Sequence, residues 1–349
     1  MNLPTDYVYL YGKPNSSAEI RHEAADFKVT EIPAFMPEGE GEHVFLLIRK
    51  TGENTDWVAR QLANFCQVSP NDVGYAGKKD RHAITEQWFS VRLPLNRVIT
   101  WSLFGGDSIE VLQAVRHPRK LRLGALLGNR FTLRLRNVTE EDEFERRVGL
   151  IAEGVPNYFG EQRFGQEQGN LTKGIALING EYKERQRHKK GLYISAVRSW
   201  LFNHLLSERI EQQLWNKILP GDVMMLNGSR SHFVAEVDDA TLEQRLSEKD
   251  IHLSGPLWGR GLPLVKESAC EWEAGVVNPW QSIAERLEYM GLQQERRPLR
   301  LVPEALKVTR EADGQWLLSF NLPAGSFATS ILRELCISGT GQTSSEESA

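Results

Sequence analysis

Between residues 130 and 136 apolar and basic side chains alternate without a break. Phe131, Leu133 and Leu135 fall on one side of an extended chain, and Arg130, Thr132, Arg134 and Arg136 on the other. One face of such a strand enters a core and the other carries three cations. A solvated face and an RNA platform explain those cations equally well. Residues 27–32, 43–49, 87–92, 109–115 and 316–322 also read as strands.

Helices interrupt this β-rich run at few points. Val58, Leu62 and Phe65 recur at helical spacing in residues 55–66, with Asn54 or Thr55 as the cap. Thr139-Glu140-Glu141-Asp142 opens a second helix with something close to a capping box. Beyond Gly154 the texture changes. A glycine- and aromatic-rich segment leads to a helix over 192–210, then to short strands and turns, then to a helix that Asn278-Pro279 should open. After the strand at 316–322, Pro323-Ala324-Gly325-Ser326 turns into a helix holding Ile331, Leu332 and Leu335, which Gly339 can end. The layout is one β-rich domain interrupted by an insertion, with its last strand and helix supplied after it. The Gly-, Ser-, Thr- and Glu-rich tail over 341–349 is expected to be disordered.

At 349 residues the chain has room for about two domains. No apolar run is long enough to span a bilayer and no signal peptide pattern opens the chain, so a cytoplasmic protein is expected. Cys66, Cys270 and Cys336 are far apart and form no CxxC, which fits packed, reduced thiols. No GxGxxG follows a strand, and GxxxxGK[ST], HExxH and GxSxG are missing, so no cofactor and no metal are expected. The net charge of −4 argues against a general polyanion binder. Its distribution argues for a local one: residues 116–136 hold seven Arg or Lys and no Asp or Glu, and basic clusters recur at 183–190 and 296–300.

The chemistry concentrates in Gly74-Tyr75-Ala76-Gly77-Lys78-Lys79-Asp80-Arg81-His82-Ala83. A glycine-bearing turn there presents one carboxylate, Asp80, among Lys78, Lys79 and Arg81. Cations on both sides favour the ionised form that a carboxylate nucleophile needs. The bland alternative is a solvated turn whose charges offset one another. Phe27, Phe327 and Asn129 lie in polar surroundings elsewhere. Aromatic rings and an amide are what a site needs to stack a nucleobase and read its edge, although a core ring and a turn-forming Asn are the ordinary uses of these residues.

Taken together and in order, several segments resemble the TruD family of tRNA pseudouridine synthases over nearly the whole chain. They are Asp26-Phe27-Lys28-Val29-Thr30-Glu31, Gly39-Glu40-Gly41-Glu42-His43, the stretch from Ala76 through Gln87, Arg122-Leu123-Gly124, Gly128-Asn129-Arg130-Phe131, the stretch from Val155 through Gly165, and Pro323-Ala324-Gly325-Ser326-Phe327-Ala328-Thr329. The resemblance implies an α+β catalytic domain with a mixed, largely antiparallel sheet over 1–154 and 304–340, interrupted by a family-specific α/β insertion over 155–303. It implies conversion of uridine to pseudouridine at position 13 in the D-arm of tRNA, with no cofactor or metal.

On this resemblance Asp80 matches the catalytic aspartate, and Phe27, Asn129 and Phe327 match positions that contact the target nucleotide. Arg21 corresponds to a basic position expected to pair with the aspartate, and Phe131 stands where most other pseudouridine synthases have a tyrosine packed on the base. A monomer is expected, since no long exposed apolar helix stands out. Two rivals remain: a non-catalytic RNA-binding factor on the same scaffold, and a hydrolase that uses Asp80 to cleave nucleosides outright.

Overall fold

The computed structural model describes residues 3–236 and 239–340, so the 341–349 tail lies outside the described residues. The chain divides into two compact units. One comprises Pro14–Ala152, Pro303–Ala328 and residues 335–340. The other comprises, among the described residues, 3–13, those within 153–302, and Thr329–Glu334.

The first unit is built on an eight-stranded sheet. Its strands are β1 (Phe27–Pro33), β2 (His43–Thr51), β3 (Val73–Tyr75), β4 (Ile84–Arg92), β5 (Ile109–His117), β6 (Leu126–Leu135), β7 (Glu304–Ala312) and β8 (Gln315–Pro323). They lie in the order β7-β8-β6-β1-β4-β2-β5, with β3 also pairing with β4. Only β1 and β4 run parallel; the other neighbours are antiparallel.

Helices cover one face of this sheet. The helix α1 (Thr55–Phe65) buries Val58, Leu62 and Ala63 against Val44, Leu46, Ile48, Phe89 and Val91. The helix α2 (Glu141–Ala152) buries Phe144, whose ring lies 5.1 Å from that of Trp316 on β8. Leu46, Ile48, Phe89 and Leu318 are fully buried there, each stabilising the fold by about 1.5–3 kcal/mol. Helices gathered on one face of a mixed, largely antiparallel sheet make this an α+β fold.

The sheet forks at β4. Ile84, Thr85 and Glu86 pair with Lys28, Val29 and Thr30 of β1, while Phe89, Ser90 and Val91 pair with β3. Gln87 and Trp88 fall between, where β1 and β3 diverge. The 76–83 loop joins β3 to β4 and starts at this fork.

Some local expectations shift. The Glu304–Ala312 strand was not expected; it forms a hairpin with β8 across Asp313-Gly314, with Gly314 at φ 66°. The last helix, Ala328–Leu335, ends before Gly339, which lies in a short strand, Ile337–Thr340, paired in parallel with Ser17–Ile20. Neither Asn54 nor Thr55 caps α1 through a side chain; the Thr55 hydroxyl is engaged elsewhere.

In the other unit a four-stranded antiparallel sheet runs His232–Val234, Val223–Leu226, Ile251–Leu257 and Glu295–Pro298, in that order. The helix Arg187–Glu211 is longer than its periodicity indicated, because the basic cluster supplies its first turn. Asn278 opens no helix: the 3-10 turn Asn278–Trp280 links helix Glu267–Val277 to helix Gln281–Tyr289, and no side-chain cap forms. Among the described residues no helix is long and apolar enough to cross a membrane.

Candidate active site

The loop carrying Asp80 has no regular secondary structure, so side chains hold it. The Thr55 hydroxyl accepts the Lys79 N–H at 3.0 Å and donates to Gln87 Oε1 at 2.8 Å. Gln87 Nε2 in turn donates to the Gly77 carbonyl at 3.0 Å. Lys50 Nζ donates to the Glu53 carbonyl at 2.6 Å and to the Asp80 carbonyl at 3.3 Å. The first residue of α1, one residue at the fork and the end of β2 thus fix the backbone on both sides of Asp80.

The cation on the Asp80 carboxylate comes from far away in sequence. Arg21 Nη2 donates to Asp80 Oδ2 at 2.5 Å, and the two side chains are 18% and 24% exposed. Asp80 Oδ1 accepts the His82 N–H at 3.3 Å. The three sequence neighbours turn elsewhere: Lys78 pairs with Asp56 at 2.7 Å, Lys79 with Glu31 at 2.8 Å, and Arg81 Nε donates to the Gly52 carbonyl. The expectation that the flanking cations surround Asp80 is therefore corrected to a single one, Arg21.

Arg21 is held under strain. Its φ is +56°, a left-handed conformation that costs a non-glycine residue of order 1–3 kcal/mol. It follows the Ser17–Ile20 strand, and the 3-10 turn Ala24–Asp26 returns the chain to β1. Arg136 pins that turn, donating to both Asp26 oxygens at 2.9 Å and to Glu23 Oε1 at 2.7 Å. The Arg21 guanidinium lies 4.1 Å from the centre of the Phe27 ring, a cation–π contact that orients it towards Asp80.

Strand register gathers the other candidates on one face. Phe27, Val29 and Glu31 point the same way from β1. Opposite them on β6 stand Leu133, Phe131 and Asn129, and beyond these on β8 stand Leu318, Phe320 and Leu322. Phe27 and Phe131 are buried and meet edge to face at 6.3 Å, and Phe131 stacks on Phe320 at 5.7 Å. Asn129 lies within β6 rather than ahead of it. Its amide oxygen is buried with no hydrogen-bond partner among the described residues. An acceptor left so costs about 1–3 kcal/mol.

Phe327 follows the turn at the end of β8, half-buried. There the Ala324 N–H donates to the Leu127 carbonyl, while Leu322 is opposite Asn129. The register thus puts Phe327 at the same end of the sheet as Asn129. Pro323 pairs with Gly128, where an added Cβ would meet the Leu322 carbonyl oxygen at 2.2 Å, so only glycine allows this close approach.

The basic face of β6 is a different matter. Arg134 pairs with Glu311 at 2.7 Å, Arg136 with Asp26 and Glu23, and Arg130 Nε donates to Asn321. Those cations lie on the face away from Phe27, Phe131 and Asn129, and two of the three are neutralised. The RNA-platform expectation for this face is left with the charge of Arg130, which meets a neutral amide.

Two residues close to Asp80 were missed. Lys50 is fully buried, and burial pushes its ammonium down to about 8. Its ammonium bonds to the backbone carbonyls of Glu53 and Asp80. It ends a strand, where a lysine is ordinarily solvated, so nothing in the pattern singles it out. Glu31 is buried in the middle of an interior strand; a charged residue in phase with Phe27 and Val29 was the available signal. Among the described residues no three His, Cys, Asp or Glu side chains are grouped to hold a metal ion. All three cysteines are free.

Comparison with known proteins agrees with this architecture. The family model described as tRNA pseudouridine synthase D (TruD) matches residues 6–188 and 184–335. The chain is 49% identical over 328 residues to a protein of Shewanella oneidensis named tRNA pseudouridine synthase D, covering 94% of this chain and 88% of that one. It is 49% identical over 329 residues to one of the same name from Aeromonas salmonicida, covering 94% and 93%. The crystal structure of a putative tRNA pseudouridine synthase D from Methanosarcina mazei has the same fold. Its TM-score is 0.73 at 21% identity, over 96% of this chain and 98% of that one. With a family model spanning nearly its whole length and relatives at half identity, the chain belongs to the tRNA pseudouridine synthase D (TruD) family.

Proposed function

We propose that this protein isomerises uridine to pseudouridine in tRNA, at position 13 of the D-arm, with Asp80 as the reacting carboxylate. The observation that carries this reading is the Asp80 carboxylate itself. It is partly open to solvent, held by Arg21, and fixed through the backbone on both sides. A solvated turn has no use for that many restraints.

The reaction must break the N1–C1′ bond, leaving the electron pair on the uracil ring. The ring turns, C5 bonds to C1′ of the same ribose, the C5 proton leaves and a proton ends on N1. One carboxylate beside ribose and base serves each known way through this sequence. It can add to C1′, add to C6, or take the 2′ proton to give a glycal; Asp80 then removes the C5 proton. Arg21 balances the charge on Asp80 and holds it in one rotamer.

The target nucleotide must leave its stack, at a cost of a few kcal/mol. Stacking on Phe327 offsets that by about 1–3 kcal/mol. Phe27 and Phe131 are the floor beneath, and the amide oxygen of Asn129, without a partner among the described residues, supports a role in reading the uracil edge. The supporting unit for this chemistry is the α+β domain over 1–154 and 304–340, and the 155–303 insertion adds RNA contacts of its own through its basic cluster at 183–190. These would make binding salt-sensitive. We assign no oligomeric partner, and a monomer suffices for the site.

The test is tritium release from C5-tritiated uridine in a tRNA transcript, with primer-extension mapping of the product. Wild type should release label from one D-arm position, and Asp80→Asn should release none while binding the transcript with unchanged affinity. Tight RNA binding with no release by wild type would favour the non-catalytic RNA-binding reading.

A further inference from the structure

The sheet fork leaves Gln87 and Trp88 without partners on one edge of β4, and β1 fills the gap with a side chain. Glu31 Oε1 accepts the Trp88 N–H at 3.2 Å, while Glu31 Oε2 lies 2.8 Å from Lys79 Nζ. The two side chains are 1% and 4% exposed. The adjacent pair, Lys78 with Asp56, is about half-exposed on both sides and is of the kind that contributes little. Lys79 with Glu31 is of the other kind. Taking both charges out of water carries a desolvation cost that a well-packed apolar pair would avoid.

We infer that Glu31 is a positioning residue for the reaction: by binding Lys79 inside the fork it sets where the neighbouring Asp80 stands against the nucleotide. This inference rests on the role given to Asp80 above. Three observations converge on it. Lys79 precedes Asp80 directly, so fixing one limits the other. Glu31 is in register opposite Asn129, and four residues along the same strand face from Phe27, whose ring carries Arg21. One strand thus anchors Asp80 twice, at its carboxylate through Arg21 and at its chain through Lys79. The pair also occupies the one place where β1 and β3 separate, so it couples the base-binding face to the loop rather than closing a finished core.

A structural pair and a positioning pair respond differently to double replacement. Glu31→Leu with Lys79→Leu removes both charges together, so its melting temperature should return to within a few degrees of wild type. Its single-turnover rate should stay at least thirtyfold down, with the tRNA dissociation constant within threefold. Glu31→Gln keeps an acceptor for the Trp88 N–H and should show the same split between rate and binding. A double variant that is stable and reacts at the wild-type rate would overturn the inference. Should the double variant not fold, Glu31→Gln decides: a folded protein with wild-type rate overturns the inference equally. If wild type itself releases no tritium, the reading of Asp80 fails instead.

Discussion

Two regions of this molecule bury charge, and they do so in opposite ways. In the unit containing the four-stranded sheet, Arg209 and Asp222 are both fully buried and form a bidentate pair at 3.0 and 2.6 Å. Arg209 also donates to the carbonyls of Leu214 and Lys217, and Asp222 accepts the Leu219 N–H. Arg296 meets Glu273 in the same fashion, with Ser254 taking two more of its donors. Around Asp80 the account does not close. Arg21 is strained and, among the described residues, Lys50 has only carbonyls to bond and Asn129 keeps a buried acceptor without a partner. A closed network specifies a fold, whereas an open one stores strain and unused polarity that a substrate can relieve.

The contrast can be broken at several points. Arg209→Leu strands a fully buried carboxylate and should cost about 3–5 kcal/mol, read as a lower urea midpoint with loss of activity. An equal loss of stability in Asp80→Asn would erase the distinction between the two regions.

Lys50 sharpens it through pH. Its folded value of about 8 lies below the ordinary 10.5 because burial penalises the ammonium. Between those values the unfolded chain holds a proton that the folded one lacks, so stability rises with pH across that window. The rise is worth about 3 kcal/mol at 1.36 kcal/mol per unit. Below pH 8 the penalty is constant. Urea titrations at pH 7, 8.5 and 10 should show a rise in wild type that is steeper than in Lys50→Met; parallel curves would mean that folded Lys50 keeps its proton up to the ordinary 10.5, as a solvated lysine does.

Phe327→Ala should lower the single-turnover rate about ten- to a hundredfold, the equivalent of one stacked base, with the melting temperature within a few degrees. An unfolded variant would assign the ring to the core instead. The smallest effect is expected at Asn129→Ala. Removing a buried acceptor that has no partner should leave stability unchanged or raise it by about 1 kcal/mol while activity falls. A marked loss of stability would mean the amide is already used in the free protein.

Much of this arrangement was legible in the chain. Periodicity located β1, β2, β4, β5, β6, β8 and α1, because each buries one face and exposes or shares the other. The β7 strand escaped because it is a sheet edge with almost every side chain exposed, so no apolar alternation marks it. Its Asp313-Gly314 turn was the signal left to read. Asp80 stood out through its motif, and Phe27, Asn129 and Phe327 through resemblance. Local charge was the poor guide: Lys78, Lys79 and Arg81 adjoin Asp80 in sequence, yet each bonds elsewhere.

The sequence by itself determined six of the eight strands of the large sheet, the main helices and the family, and singled out Asp80 as the carboxylate to test, since these depend on short-range periodicity and on motifs a few residues long. Arg21 was named as the partner of Asp80 through the resemblance; only the tertiary structure decided that Lys78, Lys79 and Arg81 turn away from Asp80, which arginines of β6 are neutralised, and that Lys50 and Glu31 are buried beside the loop. Ion pairing is set by distance in space, and the partners here are 59 residues apart for Arg21 and Asp80 and 177 for Arg134 and Glu311. No pattern along the chain encodes which two of its many charges the folded sheet brings within 3 Å.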